Sequence, residues 1–156
     1  MKKFRFRLEK VLKIRKMNLD ILQKELAEIK SQLYREQQEL ENLIMLRTKT
    51  EHDFIGLQSA GFEPGEAQMY LRYINGLNGR IGQQRDIVRK YIHMVEQKRL
   101  ELLKASREKQ KIEKLKEKAL EEYKQEINRN ELIFFDEINT TNSTRDKQLS
   151  GREVAT

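Results

Sequence analysis

Residues 8–57 read LEKVLKIRKMNLDILQKELAEIKSQLYREQQELENLIMLRTKTEHDFIGL. Stepping alternately four and three residues from Leu8 reaches 12, 15, 19, 22, 26, 29, 33, 36, 40, 43, 47, 50, 54 and 57. Eleven of these 15 positions are apolar: Leu8, Leu12, Leu19, Leu22, Leu26, Ile29, Leu33, Leu40, Leu43, Phe54 and Leu57. Arg15, Glu36, Arg47 and Thr50 are the exceptions. A stripe of period 3.5 held over seven heptads stays against a partner only if the helices supercoil, so this stretch predicts one helix of a coiled coil.

The partner lies further along the same chain. Helix formers fill residues 4 to about 59 with no proline, and punctuation follows at Ser59-Ala60-Gly61-Phe62-Glu63-Pro64-Gly65-Glu66. Gly61 suits the left-handed position after a helix and Pro64 the first turn of the next, with Glu63 and Glu66 at its positive end. A turn at about 59–65 between two amphipathic helices predicts an antiparallel hairpin. The second helix is expected from about Pro64 to Ile138. The same stepping from Ala67 to Ile133 meets fourteen apolar residues in 20 positions. The misses gather after Lys98 and Leu115 falls off the register, which predicts looser packing or a stutter toward the C-terminal end. The fold class is therefore all-α: two long helices forming an antiparallel coiled-coil hairpin over residues 1–138.

Helix rise gives about 80 Å for the first helix and about 110 Å for the second. Phe4 should lie opposite roughly residue 120, leaving an overhang that carries Tyr123, Ile127, Ile133, Phe134, Phe135 and Ile138. Apolar residues without an intramolecular partner point to an intermolecular one; bending back or fraying is the other reading. Residues 139–156 are polar and aperiodic and are expected to form a disordered tail.

Composition sets the same bounds. One domain is expected from 156 residues, and 37% charged side chains with one Pro and no Trp suit long helices with a narrow buried seam. The absence of cysteine excludes a disulfide framework and a thiolate metal site. No run approaches the ~20 apolar residues of a membrane span, and the start lacks the apolar core of a signal peptide. Asn139-Thr140-Thr141 and Asn142-Ser143-Thr144 match the glycosylation pattern, which carries no meaning without a secretory signal. Residues 1–16 hold eight basic side chains against Glu9, which equals the net charge of the whole chain, +7. The remainder is neutral, so electrostatic steering is local to one end.

Little in the chain suggests chemistry. His52 and His93 would not face each other, and most carboxylates stand within four residues of a Lys or Arg as helix-face pairs. No nucleophile–base pair or metal cluster appears, and two helices enclose no pocket, so no enzyme and no cofactor or small-molecule ligand is expected. Gly76, Gly79 and Gly82 lack the preceding strand of a phosphate loop. They read either as a soft helical segment or as a close-approach surface beside Tyr70, Tyr73 and Leu77. Glu36 and Arg47 lie within the seam; Glu36 should meet the Arg85–Arg89 region, giving an interhelical ion pair that fixes register, or both snorkel to water. The basic start admits three readings. It could lie on an anionic membrane through Phe4, Leu8, Val11 and Leu12, bind nucleic acid, or present the open end to an acidic protein surface. Lys109, Lys111, Lys114, Lys116 and Lys118 alongside favour the third.

Phe4-Arg5-Phe6-Arg7-Leu8-Glu9-Lys10-Val11-Leu12-Lys13-Ile14-Arg15 resembles the opening of FliJ-type flagellar export proteins. Tyr70-x-x-Tyr73-Ile74-x-x-Leu77-x-x-x-Ile81 is similar to their centre. Arg99, the run Ile112-Glu113-Lys114-Leu115-Lys116-Glu117-Lys118, Tyr123, Arg129, Glu131 and Asp136-Glu137-Ile138 are similar to their C-terminal half. The resemblance covers about residues 4–138. It implies a cytoplasmic component of the flagellar type III export apparatus, peripheral to the inner face of the cell membrane at the flagellar base. Its hairpin would be similar to a rotary-ATPase stalk, inserting into the export ATPase hexamer, contacting the membrane-embedded export gate and escorting export chaperones. Lys2, Lys3, Phe4, Arg5, Arg7, Leu8, Phe134 and Phe135 are then the expected contacts of the ATPase ring. Leu46, Tyr73 and Leu77 are those of the gate. Leu100 departs from the aromatic that often follows the family's Arg, and the polar tail departs as well. A structural coiled coil unconnected with export is the alternative, and a membrane-surface or nucleic-acid-binding coiled coil comes after it.

Overall fold

Residue by residue, the partners of the first helix climb as those of the second descend: Glu9 with Lys116, Arg15 with Glu108, Glu25 with Lys98, Glu36 with Gln84 and Arg47 with Asn78. That order is an antiparallel helical hairpin. The computed structural model describes the backbone of residues 3–153 and the side chains of residues 3–145. It contains α1, Glu9–Ala60, and α2, Pro64–Glu153, and no strand among the described residues. By their contacts the residues divide into two units, 16–107 and a terminal unit of 1–15 with 108–156.

In the unit of residues 16–107, Gly61 follows α1 at a φ of 81°, the left-handed conformation that only glycine adopts freely. Pro64 opens α2, where its missing N–H costs nothing. The Glu63 carbonyl accepts from the N–H groups of Glu66 and Ala67, and Phe54 packs within 6 Å of both Phe62 and Tyr70. Behind this turn lies the core: Leu43, Leu77 and Ile81, with Leu40 and Ile44 against them. Leu77 and Ile81 are the most deeply buried, each contributing about 1.5–3 kcal/mol.

Polar seam residues find partners. Gln84 donates to Glu36, Arg47 to the Asn78 side chain, and Lys98 to Glu25 and Glu101. Thr50 is buried because its hydroxyl donates to the Leu46 carbonyl. The expected ion pair between Glu36 and Arg85 or Arg89 does not form: Arg89 pairs with Asp86, and the neutral Gln84 occupies the seam position opposite Glu36.

In the terminal unit two expected boundaries move. The first helix starts at Glu9, not near residue 4; residues 3–6 have no regular structure and Arg7–Leu8 form a turn. Lys3, Arg5 and Arg7 would crowd positive charge onto a helix N-terminus, whereas Glu9 is the first carboxylate that complements it. The second helix continues past Ile138 to Glu153, so residues 139–153 are helical where a disordered tail is expected. The chain holds no proline after Pro64, and Thr140, Thr141 and Thr144 donate their hydroxyls back to carbonyls three or four residues earlier. Residues 154–156 lie outside the described residues. Leu12 is buried, and Arg15–Glu108 at 2.7 Å and Lys116–Glu9 at 2.8 Å flank it.

Candidate partner-binding surfaces

In the terminal unit, burial alternates residue by residue before α1: Phe4, Phe6 and Leu8 are half-buried, while Lys3, Arg5 and Arg7 are exposed. This period of two, not a helical stripe, presents the cations outward and the rings inward. The Phe4 ring lies 5.4 Å from that of Tyr123. Phe4 and Leu8 therefore anchor the segment and Leu12 is buried, so of the face Phe4, Leu8, Val11 and Leu12 only Val11 is exposed. Lys2 lies outside the described residues. Phe6 is half-buried like Phe4, and its inward place was legible in the alternation of KFRFRL. Of the five lysines alongside, Lys109 pairs with Glu113 and Lys116 with Glu9, leaving Lys111, Lys114 and Lys118 exposed.

From Asn128 to Arg145 every side chain of α2 is exposed, including Leu132, Ile133, Phe134, Phe135 and Ile138. Phe134 and Phe135 are each 60% exposed and touch edge to face, with ring centroids 6.3 Å apart. Phe134 stands about 17 Å of helix beyond Tyr123, so the structure does not bring it together with the basic segment.

In the unit of residues 16–107, Leu46 is 38% exposed and Tyr73 50%. Leu77 is 1% exposed and at the centre of the core, which corrects its assignment to a partner surface. Its seam position, four residues from Tyr73, is what buries it. A Cβ added at Gly76, Gly79 or Gly82 would meet nothing within 4 Å, so the glycine stripe faces open space. A groove along the seam is lined by the stepped residues Leu19, Leu26 and Leu102 and, outside that pattern, by Arg99, Leu100 and Leu103. Lys98 beside it, hydrogen-bonded to Glu101 and Glu25, is held protonated to higher pH than an ordinary lysine.

A family description, flagellar FliJ protein, matches residues 4–148, nearly the whole chain. The chain belongs to the FliJ family. No curated protein and no solved structure matches it. Membership makes this FliJ-family chain a component of flagellar type III protein export, in a family associated with the export apparatus. No helix of the described residues is long and apolar enough to cross a membrane.

Proposed function

We propose that the chain acts as a stalk in the ring of the export ATPase and couples that ring to the export gate. One observation supports the reading: the terminal unit holds outward-facing Lys3, Arg5 and Arg7 and, further along α2, exposed Leu132, Ile133, Phe134, Phe135 and Ile138 that none of the described residues covers. Long-range attraction guides the approach, and short-range apolar contact then holds the complex. Leu46 and Tyr73, with the open glycine stripe, are the surface proposed for the gate. Escort of export chaperones, and a cytoplasmic place at the inner face of the membrane beside the gate, belong to the same proposal.

The test is association kinetics with the purified ATPase ring at two ionic strengths. Neutralising Lys2, Lys3, Arg5 and Arg7 slows association and flattens its salt dependence. Phe134→Ser with Phe135→Ser speeds dissociation and leaves the salt dependence unchanged. Binding indifferent to salt and to both sets of substitutions would exclude the stalk.

A further inference from the structure

The seam of α2 does not stop where its partner does. After Tyr123 the order of three- and four-residue steps changes, and the seam continues through Ile127, Asn130, Phe134 and Ile138. Ile127 is still half-buried, whereas Phe134 and Ile138 are 60% and 40% exposed. The stretch is thus the same interface, continued beyond the residues that α1 and its leading segment cover.

Charge decides what can cover it. Helical spacing puts Glu126, Glu131 and Glu137 on the two flanks of this strip, all exposed. Between Glu126 and Ile138 the one basic residue, Arg129, falls on the opposite face. In a two-helix seam the flanking positions choose the partner by charge, so a helix with acidic flanks selects one with basic flanks. A second copy of the strip is disfavoured because it would set glutamates against glutamates.

We propose that Ile127–Ile138 docks one amphipathic helix of another protein, whose apolar seam is flanked by Lys or Arg. This rests on the reading of the end of α2 as a partner surface and adds the chemistry of what it meets. The terminal unit then presents two surfaces of opposite preference: an acidic partner surface suits residues 3–15, and a basic helix suits the end of α2. The small contact makes the docking reversible and salt-sensitive.

The probes are two labelled three-heptad peptides with the same Leu/Ile seam, one with Lys and one with Glu at the flanking positions. Fluorescence anisotropy with the full chain should show the Lys peptide binding at least tenfold tighter, with the difference shrinking at high salt. Glu126→Lys, Glu131→Lys and Glu137→Lys together should reverse the order. Phe134→Ser with Ile138→Ser should abolish binding while circular dichroism stays unchanged. Equal affinity for the two peptides, or binding of neither, overturns the inference. So does a dimer of the chain, seen by sedimentation equilibrium, that Phe134→Ser disrupts. The two readings fail separately. Lost peptide preference with a ring still sensitive to Phe134→Ser overturns the charge assignment alone. A ring indifferent to Phe134→Ser, with the preference intact, overturns the stalk alone.

Discussion

Gln84 donates across the seam to Glu36 twice, to its main-chain carbonyl at 3.0 Å and to its carboxylate at 2.5 Å. Gln84 is 8% exposed, so a buried amide satisfies a seam carboxylate without a second charge. A paired polar group within an apolar stripe adds little stability but penalises slipped registers, where it would lose its partner.

Gln84→Leu should therefore destabilise the hairpin by about 1–3 kcal/mol, the cost of leaving the Glu36 carboxylate without its donor. Adding Glu36→Leu should restore most of the loss. Urea unfolding of the two single variants and the double variant checks this, and additive losses would show that the pair is not coupled.

Leu77 and Tyr73 separate core from surface. Leu77→Ala should cost about 2–5 kcal/mol, because it empties the most buried position of the core. Tyr73→Ala should change stability by no more than about 0.5 kcal/mol, as exposed substitutions do. On the proposed function Tyr73→Ala weakens gate binding with helicity intact. Thermal unfolding and gate binding, measured on both variants, distinguish the roles.

Alanine at Gly76, Gly79 and Gly82 should stabilise the isolated chain by about 0.5–1 kcal/mol per site, since each is helical and each new methyl meets open space. If the stripe is where the gate approaches the backbone, the triple variant binds the gate more weakly although it unfolds later. A triple variant that gains stability and binds the gate unchanged leaves the stripe without a role in binding.

Lys98 gives a pH dependence. Its hydrogen bonds to Glu101 and Glu25 raise its pKa above the ordinary 10.5. Its contribution to stability is thus present in full below pH 10.5 and is lost as pH rises through the higher folded-state value. The stability difference between the native chain and Lys98→Gln should be constant from neutral pH up to that point and then shrink. A difference that stays constant into the alkaline range would show that the contact does not depend on the lysine's charge.

The hairpin was legible in the sequence because seam periodicity is a local property. All fifteen stepped positions from Leu8 to Leu57 are buried or half-buried, and so is every stepped position of α2 from Ala67 to Tyr123. Of the polar exceptions, Arg15, Glu36 and Arg47 each found a partner across the seam, and Thr50 donates to the Leu46 carbonyl of its own helix. Gly61 and Pro64 marked the turn for equally local reasons, a positive φ and a missing N–H. Leu77, on the stepped pattern, is core and Tyr73, off it, is surface. Tertiary structure alone decided three things. Residues 3–8 leave the helix, with Phe4 against Tyr123 and the cations in water. α2 continues to Glu153 through threonines that composition reads as a tail. Glu36 meets Gln84 rather than Arg85, because one residue of register turns a helical side chain by about 100°. A count of neighbouring charges cannot resolve that rotation; the packed seam does.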